Sequence, residues 1–321
     1  MQIKNILLFI AFLATALTGQ AQFRTETGYL TFDGLDRSYE LFVPDNYSPE
    51  MKYPLVLILH GGGGKAQGLV RTTRARFNQL ANRDGFIAVY PNGFEKSWND
   101  GARDTLAPAR KLNIDDVGFI NALIIKLEKQ LSINREQIYA CGISNGGFMA
   151  QRLAYDLSDN IKGIGVVAAN LSEVQSQKPF PEHPVPAIFI NGTDDPLMPY
   201  QGGYITVFRQ KRGKVLSIEK TIETWKKIDS CAEKISETPF PDINKRDGCT
   251  AVKTTWRNPK NIKTKVVAIK VEGGGHTWPG TNQYLPRKLV GNTNRDFNGC
   301  DEIWNFFQSI QAPPNLPEKE E

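Results

Sequence analysis

The 321-residue chain reads as an α/β protein, a mostly parallel sheet with helices on both faces. Three observations predict this. Apolar β-forming runs alternate with amphipathic helical stretches along most of the chain. Several of those runs are apolar without interruption, as strands covered on both sides must be. The chemistry-bearing polar residues fall just after strand ends, where open sheets of this kind hold ligands.

The elements follow in order. "MQIKNILLFIAFLATALTGQAQ" carries Lys4, an apolar run from Ile6 to Leu17, and small residues up to Ala21. That pattern is an export leader over residues 1–21. The run is shorter than the ~20 residues of a spanning helix, and no cysteine at the cleavage site offers a lipid anchor. The mature chain, 22–321, is therefore expected outside the cytoplasm, extracellular or periplasmic. "GYLTFDG" and "RSYELFVP" form a hairpin, and "PLVLILHG" a central strand. A helix is expected from about Gly68 to Asn82, then the strand "GFIAVYP". "DDVGFINALIIKLEKQL" has helical apolar spacing, with Asp115 or Asp116 as N-cap. "IYACGIS" and "NGGFMAQRLAYDL" make a strand running into a helix. "IKGIGVVAA" and "PAIFING" are buried strands, and "SIEKTIETWKKI" is a helix. "TKVVAIKVEG" is the last strand and "DEIWNFFQSI" the closing helix. The Pro-rich, charged tail, about 312–321, is expected to fray. No linker or repeat divides the chain, so residues 22–321 read as one domain. Residues 230–259 are the least regular stretch and are expected to sit over the site as an insertion.

Charge and cysteine content exclude several classes. Net charge is +5, or +4 without Lys4. That is too mild for a nucleic-acid partner; the runs "RTTRARF" and "RQKRGK" read as solvated faces. The four cysteines, Cys141, Cys231, Cys249 and Cys300, match no zinc spacing. Cys231 and Cys249 flank a polar loop and are expected to form a disulfide, which export permits. Cys141 lies in an apolar strand as a buried thiol, and Cys300 is left unassigned.

The most informative stretch is "CGISNG". A serine hydroxyl is a poor nucleophile unless a base takes its proton and an acid orients the base. Ser144 stands in G-x-S-x-G between strand and helix, the nucleophile-elbow pattern. The chain has only three histidines. His183, in "PEHPVP", enters a strand from the wrong end and reads as a surface residue. His60 precedes four glycines and reads as a brace for that loop. His276, after the last strand, is left as the base, and the order Ser, acid, His is that of an α/β-hydrolase. The acid follows "PAIFING", where Asp194 and Asp195 both qualify; Asp195 is preferred on the resemblance below. "LHGGGG" offers bare backbone N–H groups for an oxyanion, and Gly62, with Gly63 close behind it, and Asn145 are the expected donors. The glycine loop lacks the Lys-Ser/Thr ending of a phosphate-binding P-loop. Trp98 and Trp278 are candidates to line the substrate pocket, plain packing being the alternative.

"LHGGGG", "SWND", "DDVGF", "GISNGGFMA", "NGTDDPLMPY" and "GGGHTWPG" together resemble the polyhydroxybutyrate-depolymerase-like esterases, which overlap with feruloyl and acetyl-xylan esterases of the carbohydrate esterase family 1 type. The resemblance implies an α/β-hydrolase fold and an acyl-serine mechanism with no metal or cofactor. It places Ser144, Asp195 and His276 on the family's nucleophile, acid and base. The implied partner is an ester: a feruloyl or acetyl group on plant polysaccharide, or a 3-hydroxybutyrate oligomer. Asn191 departs from the family's H-G-T-x-D pattern, and glycines follow His60 where many depolymerases have Gly-Cys. A serine peptidase or a non-catalytic binding module on the same fold are the competing readings.

Overall fold

The computed structural model describes residues 23–311, apart from 105 and 208. The leader and the tail lie outside the described residues. Among the described residues, no helix is long and apolar enough to cross a membrane.

The described residues open with the expected hairpin, β1 (Glu26–Phe32) and β2 (Leu35–Phe42). The central strands are β3 (Tyr53–Leu59), β4 (Ile87–Pro91), β5 (Ile133–Ile143), β6 (Ile164–Val167) and β7 (Ala187–Gly192). Two strands, β8 (Gly203–Val207) and β9 (Gln210–Val215), form a separate antiparallel hairpin. The main sheet is completed by β10 (Glu233–Pro239), β11 (Thr250–Asn258) and β12 (Asn261–Glu272). Its order is β1-β2-β4-β3-β5-β6-β7-β12-β11-β10, with β4, β3, β5, β6, β7 and β12 mutually parallel. This is the α/β-hydrolase fold. The parallel core places the ends of β3, β5, β7 and β12 on one edge, so the residues following them converge.

Side-chain alternation along β3 shows how the sheet makes two cores. Leu55, Leu57 and Leu59 face one side, Val56 and Ile58 the other, and all five are fully buried. The first side is covered by α4 (Asp116–Gln130), α5 (Asn145–Asp156) and α7 (Ile218–Ile228), through residues such as Phe119, Leu153 and Trp225. The second is covered by α1 (Ala66–Thr72), α2 (Arg76–Asp84) and α9 (Gly299–Ile310), through Leu69, Phe77 and Trp304. Single-turn helices α3 (Pro108–Lys111), α6 (Glu173–Ser176) and α8 (Arg287–Val290) lie in the connections.

Four sequence expectations are corrected or narrowed. The helix expected from Gly68 to Asn82 is two helices, because Arg74 and Ala75 turn left-handed at φ 52° and 53°. Thr73 promotes the break by donating its hydroxyl to Leu69 O (2.9 Å). Asp115 alone is the N-cap of α4, accepting from Gly118 N (2.9 Å). Asp116 is instead buried in an ion pair with Arg37 (2.6 Å). Residues 230–259 do not cover the site; they form β10 and β11, which extend the sheet at its far edge.

The fourth concerns the disulfide. All four cysteines are free and buried. Cys231 packs in the core on one face of the sheet and Cys249 on the other. The Cys231 thiol sits 3.4 Å from Thr264 O, the Cys249 thiol 3.8 Å from Asp247 O. Burial pushes both thiols up to about 12. The loop between them supplies β10, which pairs with β11 just beyond Cys249, and no covalent link joins the thiols.

Candidate active site

Ser144 sits between β5 and α5 with φ 56° and ψ −122°. A non-glycine residue pays such a conformation only where its surroundings force it, at a cost of ~1–3 kcal/mol. The surroundings here are glycines. A Cβ on Gly142 would lie 2.6 Å from the Gly146 backbone, and one on Gly146 would lie 2.3 Å from Leu59 O. The elbow can close against β3 only because both side chains are missing. Ser144 N donates to Val167 O (2.9 Å) and Ser144 O accepts from Phe148 N (2.9 Å), which fixes the turn from both sides. Gly146→Ala should therefore cost ~1–3 kcal/mol or more in overpacking, read as a lower urea midpoint at unchanged slope. A variant as stable as the parent would show that the turn has room the contacts deny.

Asp195 and His276 arrive from the ends of β7 and β12. Asp195 Oδ2 is 2.7 Å from His276 Nδ1, and both residues are buried. Asp195 Oδ1 accepts from Leu197 N and Met198 N (both 2.8 Å), so the carboxylate is held at both oxygens. Acceptor-only on one side, it makes Nδ1 the protonated nitrogen and leaves the Nε2 lone pair free. His276 O accepts from the Tyr284 hydroxyl (3.0 Å). Asp194 is exposed, and among the described residues its carboxylate accepts only from the Thr193 hydroxyl (2.9 Å). Asn191 is buried beside them, its Nδ2 3.5 Å from Ala169 O.

The other two histidines are accounted for. His183 is exposed and 2.8 Å from Asp159. His60 is buried, with Nδ1 2.8 Å from Gly61 O and Nε2 accepting from Gly93 N (2.9 Å). Burial pushes His60 down to about 4. Neutral, with both ring nitrogens engaged, it has no lone pair to offer a serine.

The glycine loop discriminates among its own donors. Gly63 N donates to Lys96 O (2.8 Å) and Gly64 N to Gly61 O (3.0 Å). Gly62 N and Asn145 N carry no hydrogen bond among the described residues. A Cβ on Gly62 would be 3.7 Å from Asn145 Cβ, so the two free N–H groups belong to adjacent backbones.

A support layer behind them was not anticipated from the sequence. The Asn145 side chain accepts from Trp98 N (2.7 Å) and donates to Trp98 O (3.1 Å) and Asp100 (2.8 Å). Asp100 is gripped by Arg110 through two bonds of 2.8 and 2.6 Å. Asp116 accepts from Asn99 N (2.7 Å) and from Arg37. The "SWND" segment is thus clamped between the elbow and α4. Its trace in the sequence is the pair of motifs "SWND" and "DDVGF", whose Asp100 and Asp116 side chains make these bonds.

A cavity of about 980 Å³ opens over these groups. Ser144, Asn145, Gly62 and His276 all line it. Among the described residues no hydrogen bond joins Ser144 Oγ to the His276 ring; such bonds are often looser in unliganded sites. Trp278 lines the cavity, with its ring packed edge-on to Phe77. Trp98 does not: fully buried, it donates its indole N–H to His60 O (2.9 Å) and packs tilted against that ring. Its reading as a pocket wall is corrected to a brace, because the backbone of "SWND", not its tryptophan, faces the elbow.

The comparisons with known proteins agree with this frame. The family model described as Esterase PHB depolymerase matches residues 37–175. "Putative esterase NocK" of Nocardia uniformis subsp. tsuyamanensis is 31% identical over 262 residues, covering 79% of this chain and 74% of that one. Feruloyl esterase B of Piromyces equi is 25% identical; the match covers 73% of this chain and 41% of that relative's length. An acetyl xylan esterase from Aspergillus awamori shares the fold, with a TM-score of 0.56 at 12% identity, covering 88% of this chain and 99% of that one. The family match spans β2 through α6, glycine loop and elbow included, and the likeness to NocK runs over most of both chains: this chain belongs to the PHB-depolymerase-type esterase family.

Proposed function

We propose that the chain is a serine ester hydrolase working through an acyl-serine intermediate, on feruloyl or acetyl esters of plant polysaccharide. One observation carries this reading. A strained serine, a carboxylate-oriented imidazole with a free Nε2, and two unpaired N–H groups all belong to one cavity. His276 Nε2 takes the Ser144 proton as Oγ attacks the ester carbonyl. Gly62 N and Asn145 N donate to the oxyanion, and Asp195 stabilises the imidazolium. Collapse of the tetrahedral adduct expels the alcohol, protonated by His276. Water, deprotonated by the same nitrogen, then attacks the acyl-serine carbonyl, and the acid leaves as Oγ regains its proton.

The acyl preference draws support from two sources. Relatives are named feruloyl esterase and bifunctional acetylxylan esterase/xylanase. The cavity wall is rich in Leu106, Phe148, Trp278, Tyr284, Leu285 and Leu289, which suit an aromatic acyl group. Parallel rates on p-nitrophenyl acetate, methyl ferulate, acetylated xylan, a 3-hydroxybutyrate oligomer and a peptide p-nitroanilide test it. The expected order puts methyl ferulate or acetylated xylan first. A fastest rate on the oligomer would make the chain a depolymerase, and on the anilide a peptidase.

A further inference from the structure

The basic run "RQKRGK", Arg209 to Lys214, has no part in the chemistry above. Read alone it is a solvated turn. The structure moves it to the mouth of the cavity, because it forms the turn and second strand of the β8–β9 hairpin. Arg209 and Arg212 line the cavity together with Lys65, Lys96 and Lys288, against one acidic lining residue, Glu95. Arg110 also lines it, but its charge is matched by Asp100 and Asp104.

The remaining cations are not matched. Lys65, Lys96, Arg209 and Lys288 are exposed and make no ion pair among the described residues. Arg212 reaches only to 4.0 Å of Asp104, a carboxylate already held by Arg110, and its buried Nε has no partner. Beside the mouth, Lys211 and Lys214 lie over the Tyr204 ring, 5.1 and 5.0 Å from its centre. Those contacts align two further cations along the hairpin. A cleft lined by one sign of charge focuses its field on an incoming anion. Cations spread over three separate chain segments and along a hairpin suit a row of charges better than a single one.

We propose that this mouth docks the uronate carboxylates of an acidic polysaccharide, so that the ester presented to Ser144 is carried on a polyanionic chain. The proposal rests on the ester-hydrolase reading and narrows its alcohol component.

The test compares acetate release from acetylated polygalacturonate and acetylated neutral xylan with turnover of p-nitrophenyl acetate. It uses the parent chain and the variant Arg209→Gln/Lys211→Gln/Arg212→Gln/Lys214→Gln. The expected result is a rate ratio, acidic polymer to p-nitrophenyl acetate, that falls about tenfold in the variant, through KM. The same ratio in the parent should fall as NaCl rises from about 0.02 to about 0.3 M. An unchanged ratio, or equal losses on both substrates, overturns the proposal. Retardation of Ser144→Ala in a gel containing unesterified polygalacturonate, lost when the four glutamines are added, reads docking without catalysis. Retardation with no turnover of any ester would sink the hydrolase reading and leave docking standing. Equal retardation by duplex DNA, or a preference confined to p-nitrophenyl hemisuccinate, overturns the uronate assignment.

Discussion

Replacing Ser144 with alanine is expected to lower kcat on p-nitrophenyl acetate about 10⁶-fold, the scale seen when a nucleophile that acts as part of a unit is removed. Stability should barely move. The Ser144 side chain caps nothing at the start of α5, so no hydrogen bond of the fold is lost with it. Alanine carries the same Cβ into the same φ of 56°, so the strain is unchanged. Steady-state rates beside a thermal melt read both halves of the expectation. Retention of more than about a tenth of the parent rate at an unchanged melt would remove Ser144 from the mechanism.

Asp195→Asn is the second largest expected effect, a loss of about 10⁴ in kcat by analogy with the orienting acid of other triads. Here the structure supplies the reason. Leu197 N and Met198 N both donate to Asp195 Oδ1, so an asparagine must place its carbonyl oxygen there. Its NH₂ then faces His276 Nδ1, where Asp195 Oδ2 accepts at 2.7 Å. A donor in that place forces Nδ1 to accept and moves the ring proton to Nε2, the nitrogen that must be empty to take a proton. Asp194→Asn, on the exposed neighbour, is expected to stay within about twofold of the parent, as a surface change does. The reverse pattern, with Asp194 the sensitive position, would reassign the acid and break the account of the tautomer.

The parallel strands and the elbow were legible because each is a local matter. Leu55 to Leu59 announce a strand covered on both sides by being apolar throughout, and Gly142 and Gly146 announce close approach by having no Cβ. Asp194 and Asp195 were not separable from local pattern alone: two adjacent carboxylates on one loop differ only in which way the chain turns them. Gly63 likewise stood close behind Gly62 as a donor on local pattern, and only the fold shows its N–H given to Lys96 O. The expected Cys231–Cys249 bridge failed for a related reason. The loop between them looked irregular, but its residues Glu233 to Pro239 find ladder partners in β11, and the two thiols pack on opposite faces of the sheet.

What the residues alone determined was the chemistry on offer: an alcohol, an imidazole, carboxylates and bare amides, each just past a strand. Period-two and period-3.6 burial write themselves into composition, so the architecture and the ends of its strands could be read there. Only the tertiary structure decided which aspartate meets the imidazole, that Trp98 braces the glycine loop while Trp278 faces the cavity, and that a basic turn hangs at the entrance. Those outcomes depend on the register and packing of segments far apart in the chain, and no local pattern carries that information.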